Sequence, residues 1–265
     1  MKKVAIVVIK GGLGNQLFQL IFCNYLKSKN FKVILDTSAY GLSTNKLKKL
    51  NMTKRSLVFP LEKFGFKHAN KVYVRFLKIV KKIYSIFLFN PDVKTHFRGH
   101  EFKYEETGLL NIFDGYWKNT NYLDENIDFL INSLNSVEEL KNFINKTPLS
   151  GSTLLHIRRG DFVDNGWDLP EQFFLNAVEY IQENKEISFI DIFTDDYQWV
   201  VDSSLSKHKK INKIISPTSE SREEIIETFS KMLNYENYII GNSTFSYFPA
   251  YLKNNKESIV IISNP

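Results

Sequence analysis

The chain has 265 residues, of which 43% are hydrophobic and 14% aromatic, and its formal net charge at pH 7 is +6. This length and composition suffice for one large or two small domains with packed cores, and they exclude a disordered or fibrous protein. The single cysteine, Cys23, excludes an internal disulfide framework and suits a reducing compartment. No secretory signal is visible, and no apolar stretch reaches the ~18 residues of a membrane span, so we expect a cytoplasmic protein.

The charge is distributed unevenly along the chain. Residues 1–148 contain 24 Lys and Arg against 12 Asp and Glu, whereas residues 149–265 contain 11 against 17. A stretch rich in Pro, Gly and Ser, residues 147–152, lies at the point of change. Such asymmetry and composition predict two domains with different partners, an acceptor-side α/β domain at 1–148 and a donor-binding domain at 149–265.

The first half opens with a βαβ pattern. An apolar run at 4–9 predicts a buried strand, 15–29 an amphipathic helix and 32–36 a second strand. A further strand is expected at 110–117, with helices near 125–134 and 137–145 after it. These elements predict a looser α/β domain.

Residues 64–89 show a basic amphipathic pattern. Lys71, Arg75, Lys78 and Lys82 would share one helical face and apolar residues another. An ordinary surface helix explains this pattern, and peripheral contact with an anionic membrane surface is the alternative. Nucleic acid could also be attracted to the basic half, but no recognisable nucleic-acid-binding module accompanies its lysines, so we expect no nucleic-acid partner.

The second half alternates strands and helices regularly. Strands are expected near 153–158, 188–194, 211–216, 237–241 and 258–262, and helices near 170–184, 197–206, 220–234 and 244–254. This alternation predicts a parallel, doubly wound sheet of the Rossmann type. The cleft between the two domains is the expected ligand site.

The most informative stretch, residues 153–161, runs from an apolar strand directly into His156, Arg158, Arg159 and Asp161. The chain has 29 Lys but only 6 Arg, and two of the six lie side by side here. A guanidinium can hold a phosphate through two parallel hydrogen bonds, which an ammonium cannot do. A surface salt bridge between the pair and Asp161 is the alternative explanation.

Three further stretches follow predicted strands. A glycine-rich turn, residues 11–16, could admit a ligand close to the backbone, although a tight structural turn explains it equally well. Asp195 and Asp196 could bind a metal, hold the edge of a nucleobase or cap the next helix. Two acids at consecutive strand positions point to opposite faces, so we expect a cap at Thr194 or Asp195 with one ligand contact. The small, hydroxyl-rich residues 242–246 suit a phosphate or another helix cap. Together the four stretches predict a cleft for a nucleoside diphosphate with an attached sugar.

These residues also carry a family resemblance. Residues 156–161, His-Ile-Arg-Arg-Gly-Asp, match the H-x-R-R-x-D motif of the α1,2-, α1,6- and protein O-fucosyltransferases. Residues 11–19, Gly-Gly-Leu-Gly-Asn-Gln-Leu-Phe-Gln, resemble the N-terminal motif of the bacterial galactoside α1,2-fucosyltransferases of glycosyltransferase family 11. The segments 115–122, 193–196 and 242–246 resemble later motifs of that family, in the same order. The resemblance covers nearly the whole chain.

The resemblance implies a GT-B fold, with two Rossmann-like domains facing across a cleft, and an inverting transferase that uses GDP-β-L-fucose. It implies no metal or other cofactor, and a galactose-containing acceptor, free or lipid-linked, in surface-glycan biosynthesis with an α1,2 linkage. Arg158 would grip the β-phosphate and Asp161 would organise the arginines or act near the acceptor. The implied donor-binding residues are Gly12, Gly14, Asn15, His156, Arg158, Asp195, Ser243, Thr244 and Phe245.

Inversion by direct displacement calls for a base that takes the proton of the acceptor hydroxyl. We expect Asp161 in that role, with Asp164 and Asp168 as alternatives, and Arg158, Asp161 and Asn15 as the catalytic set. The chain departs from the family at Tyr247 and Phe248, where two tryptophans are usual, which leaves the acceptor open. A transferase for another nucleotide sugar and a non-catalytic nucleotide-sugar binder remain alternatives.

Overall fold

A computed structural model describes residues 2–43, 45, 54–66, 72, 75–76, 79, 93–97 and 103–263. The chain divides into two compact units, Met1–Val137 and Glu138–Pro265. Each unit contains its own sheet, and every strand pairing in both sheets is parallel. The α/β class and the two Rossmann-like sheets predicted from the sequence are therefore confirmed.

The first unit is built on a four-stranded sheet with the strand order β2-β1-β4-β3. Strand β1 is joined to its neighbour β2 by helix α1, which is the predicted βαβ opening. Two shorter helices follow β4. The elements are β1 (Val4–Val8), α1 (Leu13–Ser28), β2 (Lys32–Asp36), β3 (Val93–Phe97), β4 (Leu110–Asp114), α2 (Thr120–Asp124) and α3 (Ile127–Asn135).

Helix α1 forms the centre of the first unit's core. Its apolar side chains are fully buried, among them Leu17, Ile21 and Phe22, and Cys23 is buried with them. The Phe22 ring stacks on Trp117 with 4.4 Å between ring centroids. Burial of this kind contributes about 1.5–3 kcal/mol for each large apolar side chain. Cys23 is thus a core residue, as the sequence suggested.

The second unit is built on a five-stranded sheet with the strand order β7-β6-β5-β8-β9. The central strand β5 is longest, and its residues from Gly151 onward are buried. Helices cover both faces. The elements are α4 (Lys141–Ile144), β5 (Leu149–Ile157), α5 (Gly160–Asn165), α6 (Glu171–Asn184), β6 (Phe189–Thr194), α7 (Tyr197–Asp202), β7 (Ile211–Ile215), α8 (Arg222–Met232), β8 (Tyr235–Ile240), α9 (Thr244–Lys253) and β9 (Val260–Ile262).

Several predicted elements differ in extent from the observed ones, and one observed strand was not predicted. The strand expected at 110–117 ends at Asp114, because the backbone turns at Gly115 and Trp117 takes a left-handed conformation with φ 53°. The helix expected at 197–206 ends at Asp202 and is followed by a short 3-10 helix at Ser204–Lys207. Strand β3 lies in a region where the sequence predicted no element.

Most of the basic amphipathic segment at 64–89 lies outside the described residues. The four of its residues that are described beyond Phe66 are Val72, Arg75, Phe76 and Ile79, which are helical and exposed. Among the described residues, no helix is both long and apolar enough to cross a membrane.

Candidate active site

The second sheet brings three of the predicted stretches to one edge. Strands β6, β5 and β8 are adjacent and parallel, so the segments that follow them all begin at the carboxyl edge of the sheet. The chain runs from β5 outward through β6 and β7, then crosses to β8 on the other side of β5. Ligands of open α/β sheets bind at such a reversal of strand order, here between β5 and β8.

Arg158 follows β5 and is held by two carboxylates. Its guanidinium forms ion pairs with Asp161, at the start of α5, and with Asp195, where Nη1 and Oδ2 are 2.6 Å apart. The Arg158 side chain retains 23% of its exposure. A charge-assisted fork fixed in this way is preorganised, yet part of it remains accessible to an anion.

Arg159 points into a second, separate pair of carboxylates. Its Nη1 lies 3.0 Å from Asp168 Oδ2 and its Nε lies 3.1 Å from Asp196 Oδ2. The guanidinium also lies over the Trp199 ring, 4.4 Å from its centroid. The two neighbouring arginines thus have different surroundings, and Arg159, with 15% of its side chain exposed, is the less accessible.

The Asp195 carboxylate contacts both arginines. One oxygen pairs with the Arg158 guanidinium, and the other accepts a hydrogen bond of 2.7 Å from the backbone N–H of Arg159. Gly160 packs against the same carboxylate so closely that a Cβ there would collide with Asp195 Oδ2. The residue at 160 therefore has to be glycine for Asp195 to reach Arg158.

His156 is the last buried polar side chain of β5. Its Nδ1 lies 2.8 Å from the hydroxyl of Ser246 on α9, and its ring lies beside Phe245, with 6.2 Å between centroids. Burial, together with the nearby charge of Arg158, lowers the pKa of His156 to about 3. The imidazole is therefore neutral at physiological pH and can donate or accept a hydrogen bond, but carries no charge.

Ser243 is the N-cap of α9. Its side chain accepts a hydrogen bond of 3.3 Å from the backbone N–H of Phe245. Thr244 and Phe245 form the first turn of the helix, where backbone N–H groups and the helix dipole favour an anion. The capping explanation of this stretch is therefore correct, and a cap of this kind is compatible with phosphate binding by the same turn.

The expected cap after β6 was assigned to the wrong residue. The sequence favoured Thr194 or Asp195, whereas Asp196 is the N-cap of α7 and accepts a 3.2 Å hydrogen bond from the N–H of Trp199. The reason is that β6 extends to Thr194 and the oxygens of Asp195 are engaged by the arginine segment. Thr194 accepts instead from the N–H of Asp196 at 3.0 Å.

The remaining predicted residues belong to the first unit. Gly12 is the N-cap of α1, and Gly14 and Asn15 lie in its first turn. Gly11 has φ +83°, and a Cβ there would lie 2.8 Å from Asn15 Nδ2. A Cβ at Gly12, by contrast, would meet nothing within 4 Å. The fold thus requires glycine at position 11 but leaves open space at position 12.

Two buried glutamines that the sequence reasoning passed over fix this turn. Gln16 donates from Nε2 to the carbonyl of Gly11 at 3.1 Å and accepts from the N–H of Val58 at 3.0 Å. Gln19 accepts from the N–H of Lys10 and donates to the carbonyl of Gly115, both at 3.0 Å. The sequence did contain a signal for this role, namely two glutamines three residues apart on the buried face of an apolar helix. Buried amides need hydrogen-bond partners, so such side chains can be expected to bind neighbouring backbone.

In the second unit, the sequence reasoning included Asp196 and Ser246 in candidate stretches without assigning their contacts, and it did not identify Trp199. Ser246 sets the orientation of the His156 ring, while Asp196 and Trp199 hold Arg159. The structure thus gathers His156, Arg158 and Asp195 with Asp161 at one edge, together with the α9 start that follows β8. Gly12, Gly14 and Asn15 lie at the start of α1 in the first unit.

The fold and this edge define the class of all-parallel α/β proteins of the Rossmann type. Within that class, a family model described as Glycosyl transferase family 11 matches residues 4–265. The chain therefore belongs to Glycosyl transferase family 11.

Two curated relatives cover almost the whole chain. The O-antigen biosynthesis glycosyltransferase WbnK of Escherichia coli is 26% identical, over 96% of this chain and 91% of its own length. An alpha-1,2-colitosyltransferase of Escherichia coli is also 26% identical, over 99% of this chain and 92% of its own length.

Two solved structures are similar at a lower level. A mutant of Arabidopsis thaliana FUT1 in complex with GDP has a TM-score of 0.45 and 13% identity, covering 98% of this chain and 70% of that one. POFUT1 in complex with GDP has a TM-score of 0.46 and 10% identity, covering 98% of both chains.

Proposed function

We propose that this protein transfers L-fucose, with inversion, from GDP-β-L-fucose to a galactoside hydroxyl, forming an α1,2 linkage in a surface glycan. The observation that carries the proposal is the grouping of His156, Arg158 and the α9 start on adjacent strands of the second sheet, in a member of Glycosyl transferase family 11. A glycosyltransferase needs a site for the leaving nucleoside diphosphate, and this edge has the chemistry for one.

Arg158 and the first turn of α9 would bind the diphosphate. Breaking the sugar–phosphate bond builds negative charge on the departing GDP, so fixed positive groups there stabilise the transition state more than the ground state. The carboxylates of Asp161 and Asp195 hold the guanidinium in one orientation before the donor arrives. Neutral His156 and Asp195 would lie at the guanine. A carboxylate can accept hydrogen bonds from the N–H groups of that base.

The proton of the acceptor hydroxyl needs a base, and three carboxylates near the β5 end are candidates. Asp161 is paired with Arg158, which supports its alternative role as an organiser of the arginines. Asp168 is paired with Arg159. Asp164 lies on the same short helix as Asp161, is exposed, and makes no hydrogen bond or ion pair to the part of the chain that the structure describes. We therefore propose Asp164 as the first candidate for the base.

The relative named alpha-1,2-colitosyltransferase favours a second donor. Colitose is L-fucose without its 3-hydroxyl, so a site that accepts one can accept the other unless it hydrogen-bonds that hydroxyl. The same name supports the α1,2 linkage, and the O-antigen relative supports a surface glycan as the product. The proposal requires no metal ion.

The proposal is tested by measuring GDP release from GDP-β-L-fucose and GDP-colitose, with EDTA present, across a panel of galactose-terminated oligosaccharides. Acceptor-dependent release, with an α1,2-linked product by NMR, is the expected result. UDP-galactose and GDP-mannose serve as control donors. Release that depends on a control donor, or on added metal, would contradict the proposal.

The location of the enzyme forms a separate part of the proposal. A lipid-linked acceptor would bring the protein to the cytoplasmic face of the inner membrane, and the basic first half would attract it there. Fractionation should then find the protein on membranes at low salt and in the supernatant at high salt. Recovery in the supernatant at both salt concentrations would contradict this part.

A further inference from the structure

The carboxyl edge of the first sheet holds a second cluster of side chains, which the donor site does not use. The strand order β2-β1-β4-β3 places the reversal of this sheet between β1 and β4. Lys10 and the glycine turn follow β1, and the segment 114–118 lies at the end of β4. An ion pair of 2.6 Å between Lys10 Nζ and Asp114 Oδ1 joins the two segments. A reversal of this kind is where open α/β sheets bind ligands.

Tyr116 is presented at this edge by an unfavourable turn. Trp117 has φ 53°, a left-handed conformation that costs energy in a bulky residue. Its ring is buried and stacked on Phe22, and its Nε1–H has no hydrogen-bond partner among the described residues. Tyr116, in contrast, is 37% exposed between the buried Gly115 and Trp117. This turn therefore contains two unfavourable features, the left-handed backbone of Trp117 and its buried Nε1–H without a described partner. The same turn leaves the Tyr116 ring exposed.

Charged groups flank the exposed ring. Lys10 Nζ lies 5.6 Å and Lys118 Nζ 5.4 Å from the centroid of the Tyr116 ring. The Lys118 side chain reaches solvent, yet surrounding protein desolvates its ammonium and lowers its pKa. The ring also packs along the glycine turn, since a Cβ at Gly11 would lie 3.1 Å from Tyr116 Cε1.

We propose that the Tyr116 cluster, formed by Lys10, Asp114, Tyr116 and Lys118, binds the acceptor saccharide. The C–H face of a pyranose packs on the ring, the Asp114 carboxylate accepts hydrogen bonds from its hydroxyls, and Lys118 donates to them. Aromatic area with a few placed polar groups is the usual composition of a small-molecule site. The Asp114 carboxylate, paired with Lys10, keeps lone pairs that can accept hydrogen bonds from hydroxyl groups. This inference rests on the proposed function, because it names the subsite of the proposed acceptor.

The test measures the KM for acceptor and donor in three variants of the full chain. Tyr116→Ala removes the ring and should raise the acceptor KM by about 10-fold, the size of one lost stacking contact, while the donor KM changes by less than about 2-fold. Tyr116→Phe keeps the ring and should behave like the wild type. Tyr180→Ala removes an aromatic side chain that is 54% exposed on α6 of the second unit, and it should change neither constant.

The outcomes separate this inference from the proposed function. If the wild type transfers sugar but folded Tyr116→Ala keeps its acceptor KM, or loses donor affinity equally, the inference is overturned and the proposed function stands. If Tyr116→Ala fails to fold, Lys118→Ala replaces it, with a raised acceptor KM expected and an unchanged one overturning the inference.

A direct binding measurement covers the case in which the wild type transfers no sugar and the proposed function fails. Saturation-transfer NMR with lactose and with N-acetyllactosamine should then detect binding to the wild type that Tyr116→Ala abolishes. No binding to the wild type, or equal binding to Tyr116→Ala, would overturn the inference on its own.

Discussion

Each of the two sheets of this protein reverses its strand order at one point, and the side chains at the two reversal points differ in chemistry. At the second sheet the edge carries two arginines, each held by two carboxylates, and a neutral histidine. At the first sheet the described part of the edge carries a glycine turn, an exposed tyrosine and one ion pair. The chemistry of the second edge suits a ligand with concentrated negative charge, and we propose that the first edge meets the hydroxyls and C–H groups of a sugar.

The two edges also differ in what holds them in shape. The second is fixed by ion pairs between side chains, so its geometry depends on charge. The first is fixed by Gln16 and Gln19, which hydrogen-bond to the backbone, and by the packing of Trp117. Mutations at the second edge should therefore act on the chemical step, and mutations at the first on local structure and acceptor binding.

The largest expected effect comes from Arg158→Ala. The variant should fold normally but lose about 10²- to 10³-fold in kcat, because the fixed charge at the leaving group is gone. Single-turnover kinetics and thermal unfolding check the two parts. Arg222→Ala, which removes an arginine paired with Glu139 on the surface of the same unit, should retain full activity. A folded Arg158→Ala enzyme with near-normal turnover would contradict the claim that the second edge acts on the chemical step.

Asp195→Asn tests whether ion pairing positions Arg158. The amide keeps the size of the side chain but loses the charge that faces Nη1, so we expect kcat to fall by about 10- to 100-fold. The measurements are kcat, which should fall, and the dissociation constant of GDP, which should rise. Asp202→Asn, at the end of α7, is the control. Unchanged kinetics in Asp195→Asn would mean that Asp161 alone is sufficient.

His156 should make the second unit sensitive to acid. Its pKa is about 3 in the folded protein, against an ordinary value of 6.5. Between these two values the imidazole is protonated in the unfolded chain but neutral in the folded one. Stability is therefore lost as the pH falls through this window, by about 2–3 kcal/mol between pH 7 and 4.5. Urea unfolding of the wild type and of His156→Asn measures the difference. Equal acid sensitivity in both proteins would show that the histidine is not buried as described.

The smallest effects separate the two glycines of the first edge. Gly11→Ala should destabilise the protein by about 1–2 kcal/mol, because alanine is unfavourable at φ +83°. Gly12→Ala should cost less than about 1 kcal/mol, since its Cβ meets nothing within 4 Å, yet it should reduce activity if substrate fills that space. Unfolding curves and initial rates distinguish the two. Equal destabilisation by both substitutions would contradict the account of this turn.

The sequence predicted the second sheet better than the first for a physical reason. Short buried strands separated by amphipathic helices produce a clear alternation. All five strands and four of the helices between them were predicted near their observed positions, whereas the short helix α5 was not predicted. In the first unit, β3 directly precedes its neighbour β4 in the chain, but it lies in a stretch with weak periodicity. Its place depends on tertiary pairing, which local pattern does not encode.

The candidate site shows the same limit at the level of single residues. The motif around Arg158 predicted a charged strand end, but not that Asp195 would reach both Arg158 and the N–H of Arg159. That contact moves the helix cap to Asp196. The left-handed Trp117 could not be predicted either, because the packing of its ring determines the turn. Residue types indicated the kinds of chemistry, and the register of neighbouring strands determined which atoms meet.

The most direct test of the central claim, that the second sheet binds a diphosphate through Arg158, is calorimetric titration of GDP and of GMP. The wild type should bind GDP at least about 10-fold more tightly than GMP, since only GDP carries the β-phosphate. Arg158→Ala should retain GMP binding and lose most of that difference. If the folded variant keeps the full preference for GDP, the arginine does not hold the β-phosphate, and the assignment of this edge to the donor is wrong.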